Sequence, residues 1–300
     1  MYQFLVTNVN LKEGLGIESM KDPKGNPTAY SSYSFPSHLV GLFSRTIQFL
    51  NHGIKPIWVF DGTPPDYKKE ELKRRRELKM KAEEMKEKAE EEGKLVEAKM
   101  MASRSVKITT EMAEDAKKLI KLLGLPMVEA SSEAEAQCSA LVKAGKAYAT
   151  ATEDMDALTF GSSRLIRGFN SKKDPICEIT LDTVLKEFNM TMDEFIDLCI
   201  LCGCDYSPHI DGIGPVKAFK FIQEYKTLEK VIENVCGESG KTKKYTLPAG
   251  FNYEAARKLF KEPDVIDPNK VEVCVVGIVD NMGKARCRGI EEVLDCRQRV

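Results

Sequence analysis

Apolar residues recur at two different spacings along this chain, and each spacing predicts one type of element. Over 37–51 they recur every three or four positions, which predicts an amphipathic helix. The same spacing predicts another helix at 109–123. An apolar element is expected at 2–9, and the short apolar run at 55–60 predicts a buried strand.

The middle of the chain alternates between the two signals. Apolar runs at 127–129 and 147–151 flank a helical pattern at 132–144. A strand, a helix and a strand at this spacing form a βαβ unit, which implies an α/β fold with a parallel sheet. Further strands are predicted at 164–169 and 177–181.

The segment from Lys68 to Lys99 is almost wholly charged and has no apolar stripe wide enough for a core. One interpretation is a solvated helix or helical hairpin held by Glu–Lys pairs. The other is an arm that contacts phosphates. Residues 66–107 carry a net charge of +3, whereas 129–160 carry −4. A basic segment and an acidic one together suit a protein that grips a polyanion and holds cations.

Composition limits the classes of protein. The 300 residues are 42% hydrophobic, which allows a sizeable core and excludes a disordered chain. No apolar stretch approaches the ~20 residues of a membrane span, so no membrane partner is expected. The N-terminus lacks the features of a signal peptide. Nine cysteines are then expected to be reduced thiols in an intracellular compartment.

Acidic residues recur at the ends of predicted strands and at one helix start. Strand ends of a parallel sheet meet at one edge, so several of these carboxylates should face one crevice. Helix capping is the alternative for the pair at the helix start, and turn chemistry is the alternative for the pair after 147–151. The six residues are Asp61, Glu133, Glu135, Asp154, Asp156 and Asp205.

Converging carboxylates require neutralisation. Two of them 4 Å apart repel by about 1 kcal/mol in water and about 4 kcal/mol at an effective dielectric of 20. Hard divalent cations with oxygen ligands, Mg²⁺ or Mn²⁺, would relieve this repulsion. Pairs of such ions held by carboxylates recur in phosphoryl transfer.

Two further motifs have a structural and a functional interpretation each. Gly212-Ile213-Gly214-Pro215 lies between predicted helices at 192–203 and 216–225. It is either an ordinary interhelix turn or a backbone grip on DNA phosphates. Cys199, Cys202 and Cys204 have spacing that could suggest zinc, but no second ligand pair accompanies them, so buried helix cysteines are favoured.

Several motifs in register resemble the flap endonucleases, which are structure-specific 5′ nucleases of the xeroderma pigmentosum group G superfamily. The similarity runs from Tyr2 to about Glu272. The motifs are Val-Phe-Asp-Gly-Thr-Pro-Pro at 59–65, Glu-Ala-Glu-Ala at 133–136, Ala-Thr-Glu-Asp-Met-Asp-Ala-Leu-Thr-Phe-Gly at 151–161, Gly-Cys-Asp-Tyr at 203–206 and Gly-Ile-Gly-Pro at 212–215.

The resemblance implies a PIN-like nuclease core, which is a mixed, mostly parallel sheet flanked by helices, with a helical arch and a helix–two-turn–helix DNA-binding element. It divides the chain into consecutive segments. These are a truncated N-terminal nuclease region at 1–65, the arch at 66–107, an internal nuclease region at 108–205, the helix–two-turn–helix and C-terminal 5′–3′ exonuclease region at 206–272, and a divergent tail at 273–300.

The resemblance also implies roles for single residues. The six acids would hold two Mg²⁺ ions, which Mn²⁺ can replace, and Asp156 would also be catalytic. Lys68 and Arg75 would steer the scissile phosphate, and Tyr2 would stack on a flipped nucleotide. Gly212 and Gly214 would form a K⁺-assisted grip on duplex DNA. Further DNA contacts are expected at Arg45, Lys68, Arg75, Glu133 and Asp205.

The implied activity is cleavage of 5′ flaps and 5′–3′ exonucleolysis in Okazaki fragment maturation and long-patch base excision repair.

The sequence departs from the family pattern at both ends. It lacks a first strand, an N-terminal glycine and a seventh acidic ligand, and its tail lacks the sliding-clamp motif. The alternative is therefore a truncated product that binds branched DNA without cutting it. A nuclease for gaps or bubbles is a weaker alternative, because the spacer between Asp61 and Glu133 is compact.

The expected partners follow from the family alone. They are branched or flapped duplex DNA and a sliding clamp, although the clamp motif is absent from this sequence. The chain is expected to act as a monomer. The expected location is the nucleus, with the mitochondrion as a second site.

Overall fold

The computed structural model describes residues 3–9, 37–94, 108–169, 175–237, 245–271, 275–276 and 287–288. Tyr2, the predicted loop at 10–36 and most of the predicted tail at 273–300 lie outside these residues. The chain divides into two compact units. Unit 1 comprises Met1–Phe60, Lys73–Glu129 and Asn269–Val300, and unit 2 comprises Asp61–Leu72 and Ala130–Pro268. The predicted segment boundaries remain predictions.

Unit 1 is built on three parallel strands. They are β1 (Gln3–Asn8), β2 (Ile54–Phe60) and β3 (Met127–Glu129), and β2 pairs with both others. The helices α1 (Ser37–Asn51) and α3 (Thr110–Leu122) pack on these strands. Phe49 of α1 and Trp58 of β2 are fully buried and meet edge to face, so the helix and the sheet share one core.

The charged run forms one long helix. A 3₁₀ turn at Asp66–Lys68 leads into α2 (Lys69–Glu91), and 23 residues give a length of about 34 Å. Ala82 and Ala89 are its buried residues, and most of its surface is exposed. The helical prediction for this run is confirmed, and 95–107 lie outside the described residues.

Unit 2 contains the rest of the α/β pattern. β4 (Ala149–Ala151) pairs parallel with β5 (Arg164–Arg167), which pairs antiparallel with β6 (Cys177–Thr180). The helix α4 (Ala134–Lys143) packs on β4. Parallel pairs with one antiparallel pair and flanking helices confirm the mixed, mostly parallel fold class.

Helices form the C-terminal part of unit 2. In chain order they are α5 (Asp156–Thr159), α6 (Leu181–Phe188), α7 (Met192–Cys202), α8 (Pro215–Tyr225), α9 (Leu228–Val235) and α10 (Tyr253–Lys261). Leu198, Leu201, Ile213, Ile222 and Val231 are buried in one shared cluster. A 3₁₀ turn at Pro268–Lys270 and two short strand pairs complete the list of elements. The pairs are β7 (Cys236–Gly237) with β8 (Tyr245–Thr246) in unit 2, and β9 (Val275–Val276) with β10 (Cys287–Arg288) in unit 1.

Element boundaries differ from the predictions at two places that matter for the site. The strand predicted at 147–151 begins at Ala149, and the helix predicted at 132–144 begins at Ala134, with Glu133 as its N-cap residue. Among the described residues, no helix combines the length and the apolar composition that spanning a bilayer would need.

A carboxylate cluster in unit 2

Asp61 is hydrogen-bonded to the start of a helix that is distant in sequence. Its Oδ1 accepts a hydrogen bond of 2.9 Å from the backbone N–H of Ala134, the first residue of α4. The adjacent backbone pairs with the same segment: Gly62 N–H donates to the Ser132 carbonyl at 2.7 Å. A β-carbon at Gly62 would collide with the carbonyl oxygen of Ala130, so this approach requires glycine.

Three carboxylates meet at this junction. Ligand oxygens of Asp61, Glu133 and Glu135 all lie within 4.8 Å of one another. Glu133 is 8% exposed, and its side chain makes no capping hydrogen bond although it is the N-cap residue. Helix capping therefore does not explain Glu133, because the carboxylate of Asp61 accepts from the helix start instead.

Asp154 lies in the loop that follows β4, and Asp156 is the first residue of α5. Thr152 Oγ1 accepts from the N–H of Asp154 at 3.1 Å, and Asp154 Oδ1 accepts from the N–H of Asp156 at 2.9 Å. The second bond is an Asx turn, so the turn interpretation of Asp154 is correct. This turn sets the backbone conformation between the two acids.

Lys68 connects Asp205 to the other acids. Its Nζ lies 2.6 Å from Glu133 Oε2 and 3.2 Å from Asp205 Oδ2. The side chain of Lys68 is 14% exposed, and its Nζ lies 5.8 Å from the ring centroid of Tyr206. Burial disfavours the charged ammonium, but the contacts with Glu133 and Asp205 outweigh burial and raise the pKa of Lys68. Lys68 is therefore a charged amine within the acid cluster.

Burial, together with mutual repulsion, raises the pKa values of acids within the cluster. Burial, followed by the charges of Asp61 and Asp154, raises the pKa of Glu135 to about 8. Burial, followed by the charges of Asp154 and Asp205, raises the pKa of Asp156 to about 7. Burial also raises the pKa of Glu133, against the lowering effect of Lys68. All six predicted acids are thus within electrostatic range of other members of the set.

The donor set fits a hard divalent cation. Octahedral Mg²⁺ holds oxygens at about 2.1 Å, so oxygens that share one ion lie about 3 to 4 Å apart. The spread of 4.8 Å among Asp61, Glu133 and Glu135 is close to this spacing and needs only small side-chain adjustments. A bound cation stabilises the ionised form of these carboxylates, because it relieves the repulsion that contributes to their raised pKa values.

Comparison with known proteins agrees with this geometry. The XPG N-terminal domain matches residues 2–82, and the XPG I-region matches residues 124–205. Flap endonuclease 1 of Tetrahymena thermophila is 48% identical over 276 residues, which cover 91% of this chain and 70% of that protein. Flap endonuclease 1-1 of Paramecium tetraurelia is 48% identical over 279 residues, covering 91% of this chain and 69% of that protein.

This chain belongs to the flap endonuclease family. It is accordingly a nuclease, a hydrolase that acts on DNA. The solved flap endonuclease-1 from Methanococcus jannaschii is 30% identical and superposes with a TM-score of 0.60, covering 88% of this chain and 80% of that one. The catalytic core of Rad2 in complex with DNA substrate has the same fold, with a TM-score of 0.64 at 20% identity over 89% of this chain and 80% of that one.

The motif Gly-Ile-Gly-Pro at 212–215 leads into a helix. Gly214 is the N-cap residue of α8 and Pro215 is its first residue, so the helix begins one position before the predicted start at 216. Gly212 has a φ of +81°, and its carbonyl accepts a hydrogen bond of 2.6 Å from Lys217 Nζ. A β-carbon at Gly214 would have no heavy atom within 4 Å, so the surface there is open. An open backbone at a helix start suits an anionic ligand.

The structure does not test three of the predicted DNA contacts. Arg45 and Arg75 belong to unit 1: Arg45 is buried with its guanidinium 5.6 Å from the ring centroid of Phe49, and Arg75 is exposed on α2. Tyr2 lies outside the described residues. The DNA contacts of these three residues stay predictions.

The cysteine spacing does not mark a zinc site in the part of the chain that the structure describes. Cys199 and Cys202 lie on α7 and are partly buried, and burial raises the pKa of the Cys199 thiol to about 12. Within those residues, the one group of three ligand side chains close enough together to hold a metal ion is Asp61, Glu133 and Glu135.

Sequence reasoning missed the residues that hold the acid loop. Thr152 accepts from Asp154, and Glu153 and Met155 both contact Arg167. A signal was available, since Glu153 and Met155 alternate with Asp154 and Asp156 in the sequence.

Proposed function

We propose that this family member is a structure-specific 5′ flap endonuclease and 5′–3′ exonuclease that hydrolyses DNA phosphodiesters with two Mg²⁺ ions, for which Mn²⁺ can substitute. The observation that carries the proposal is the convergence of six acids and one charged lysine in unit 2. Family membership supports the substrate class.

The residues that would hold the ions are Asp61, Glu133, Glu135, Asp154, Asp156 and Asp205. Bound divalent ions would polarise the scissile phosphate and lower the pKa of an attacking water. The chain supplies the fixed frame for this chemistry. Asp61 is held by the Ala134 N–H, and Asp154 is held between Thr152 and the Asp156 N–H, so both carboxylates have a defined direction before substrate arrives.

Lys68 would act directly on the substrate phosphate. Its ammonium is charged and lies among carboxylates, so a phosphate that enters the cluster meets a positioned cation. To reach the phosphate, Lys68 must exchange Glu133 or Asp205 for a phosphate oxygen. Negative charge grows on the phosphate oxygens in the transition state, and a cation placed there lowers the barrier. Arg75 would be the second such cation.

DNA would be recognised through its backbone and its shape. The open start of α8 at Gly214, together with Gly212 and with a K⁺ ion as an additional proposal, would contact the duplex phosphates. Tyr2 and Arg45 would contact the DNA near the cleaved strand. Such contacts carry no base sequence, so specificity would come from the bend and the flap of the substrate.

The proposed setting is Okazaki fragment maturation and long-patch base excision repair, in the nucleus and with the mitochondrion as a second site. The proposed state is a monomer, and the proposed protein partner is a sliding clamp. Family resemblance supports each of these, and none rests on the geometry of the site.

The test uses the purified chain and a labelled double-flap DNA in Mg²⁺. We expect cleavage at the base of the flap. Asp156→Asn should abolish cleavage, because it removes a carboxylate from the cluster with little change in shape. Asp182→Asn is the matched control: Asp182 is exposed on α6, and its variant should cut like the unmodified chain.

Two outcomes would contradict the proposal. Binding of flapped DNA without cleavage would favour the binding-only alternative. Cleavage that is equal in both asparagine variants would show that the cluster is not the active site.

A further inference from the structure

The segment that carries Asp154 and Asp156 is held by contacts with the end of β5. Glu153 and Met155 alternate with the acids in sequence, and both reach the end of β5. Arg167 is the last residue of that strand. Its Nε lies 3.6 Å from Glu153 Oε2, and its Nη1 lies 3.2 Å from Met155 Sδ.

Glu153 also contacts the backbone, at a position whose conformation is constrained. Its Oε1 accepts a hydrogen bond of 2.9 Å from the N–H of Gly168. Gly168 has a φ of +89°, and a β-carbon there would lie 2.7 Å from the Pro175 carbonyl oxygen. The carboxylate of Glu153 is therefore bound to a backbone position that has little freedom to move.

Arg167 contacts Glu153 and Met155, and both of these residues are joined through the backbone to Asp154 and Asp156. The contacts can therefore fix the conformation of the segment that carries the acids.

We propose that Glu153 and Arg167 are positioning residues that fix Asp154 and Asp156 for metal binding. The inference deepens the proposed function and rests on it. Groups that orient metal ligands from outside the first coordination sphere affect metal affinity by about 10- to 100-fold. Loss of the contacts should therefore weaken metal binding while leaving the chemistry at saturating metal nearly intact.

The same strand offers a matched control. Arg164 and Glu178 form an ion pair of 3.1 Å across β5 and β6, with side-chain exposures of 42% and 40%. The corresponding values for Arg167 and Glu153 are 38% and 41%. The two pairs have the same chemistry and exposure, but Arg164 and Glu178 contact Tyr148 instead of the acid loop.

The experiment measures Mn²⁺ binding by electron paramagnetic resonance, and the Mg²⁺ concentration that gives half-maximal flap cleavage. The variants are Glu153→Ala, Arg167→Ala and Glu153→Gln, compared with Arg164→Ala and Glu178→Ala. We expect the two alanine variants at the loop to need about tenfold more metal in both assays. Glu153→Gln keeps an acceptor for the Gly168 N–H and should fall within about threefold of the unmodified chain.

The result separates three cases. If the unmodified chain neither binds Mn²⁺ nor cuts DNA, the proposed function itself fails. If it does both, and Glu153→Ala and Arg167→Ala keep its metal dependence, the positioning role is wrong. An equal shift in the Arg164 and Glu178 variants would also overturn it, because the effect would then be a general loss of stability, which thermal melting of all variants would show.

Discussion

Lys68 Nζ lies 2.6 Å from Glu133 Oε2, although 65 residues separate the two along the chain. The pair joins the 3₁₀ turn before α2 to the start of α4, and both side chains are largely buried. The contact favours the charged ammonium of Lys68, and it opposes the effect of burial, which raises the pKa of Glu133. The same lysine is the group that we propose contacts the substrate phosphate.

Replacing Lys68 should therefore slow the chemical step. We expect Lys68→Met to lower the single-turnover cleavage rate at saturating Mg²⁺ by about 100-fold or more, which is the cost of losing one positioned group that stabilises transition-state charge. Lys68→Arg should recover part of the rate. The neighbouring Lys69 pairs with Asp66 at the surface, so Lys69→Met should cut at a normal rate. Equal rates in the two methionine variants would refute the role of Lys68.

The pKa values predict how the stability of the metal-free protein depends on pH. Glu135 and Asp156 have pKa values of about 8 and about 7, above their ordinary values of 4.5 and 3.8. Their folded form binds protons that the unfolded chain releases, so stability falls as pH rises from about 4 to 8.

The measurement is a series of melting curves across this pH range. Mg²⁺ should raise the melting temperature more at pH 8 than at pH 6, since the ion competes with protons for the carboxylates. Glu135→Gln should flatten the decline in the metal-free protein. A melting temperature that rises with pH in the metal-free protein would contradict the raised pKa values.

Gly62→Ala should disturb the junction at Asp61. Its β-carbon would collide with the Ala130 carbonyl oxygen, and backbone atoms cannot move aside as a flexible side chain can. We expect a loss of about 1–3 kcal/mol in unfolding free energy, measured in urea, and reduced cleavage. Gly214→Ala is the control for stability, because the space there is open. A Gly62→Ala protein with unchanged stability would show that the 61–63 segment relaxes without cost.

A larger side chain at Gly214 should affect DNA binding and leave the fold intact. Its φ of −96° is accessible to any residue, so Gly214→Val should fold normally. The added side chain would keep a DNA backbone away from the start of α8. We expect weaker binding of duplex DNA in a fluorescence anisotropy titration and normal binding of Mn²⁺. Unchanged duplex affinity would remove the glycine motif from the proposed interface.

Arg257 holds three helices of unit 2 together. It donates to Asp197 of α7 at 2.8 Å and to Glu229 of α9 at 2.7 Å, from its place on α10. Asp197 is 4% exposed, so Arg257→Met would leave a buried carboxylate without its cation. We expect a loss of about 3 kcal/mol in unfolding free energy. Arg257→Lys should lose less stability, because lysine keeps the positive charge but lacks the planar guanidinium that donates to both carboxylates. A loss below about 1 kcal/mol in the methionine variant would be incompatible with this arrangement.

The sequence was sufficient where a local pattern decides the structure. The helix predicted at 37–51 has those bounds, and the strand at 127–129 does too. Thr109 caps α3 through its side chain, which accepts from Met112. Periodicity and capping depend on residues within a few positions of one another, so a single sequence contains the information they need.

The same reasoning succeeded in part at the acids. The position of Asp154 after a strand predicted both a turn role and a cluster role, and its carboxylate makes the turn bond within range of the other acids. At Glu133 the local pattern was misleading. An acid at a helix start suggests capping, but the hydrogen bond from the N–H of Ala134 goes to Asp61, which is 73 residues from Ala134.

The sequence by itself determined the element types, the α/β class, the six acids and the family. Only the tertiary structure decided which acid caps α4, that Lys68 joins Glu133 to Asp205, and that Arg167 contacts the acid loop. The physical reason is the range of the interactions. Element type follows from backbone preferences and burial of one face, whereas these contacts depend on the packing of segments that are distant in sequence.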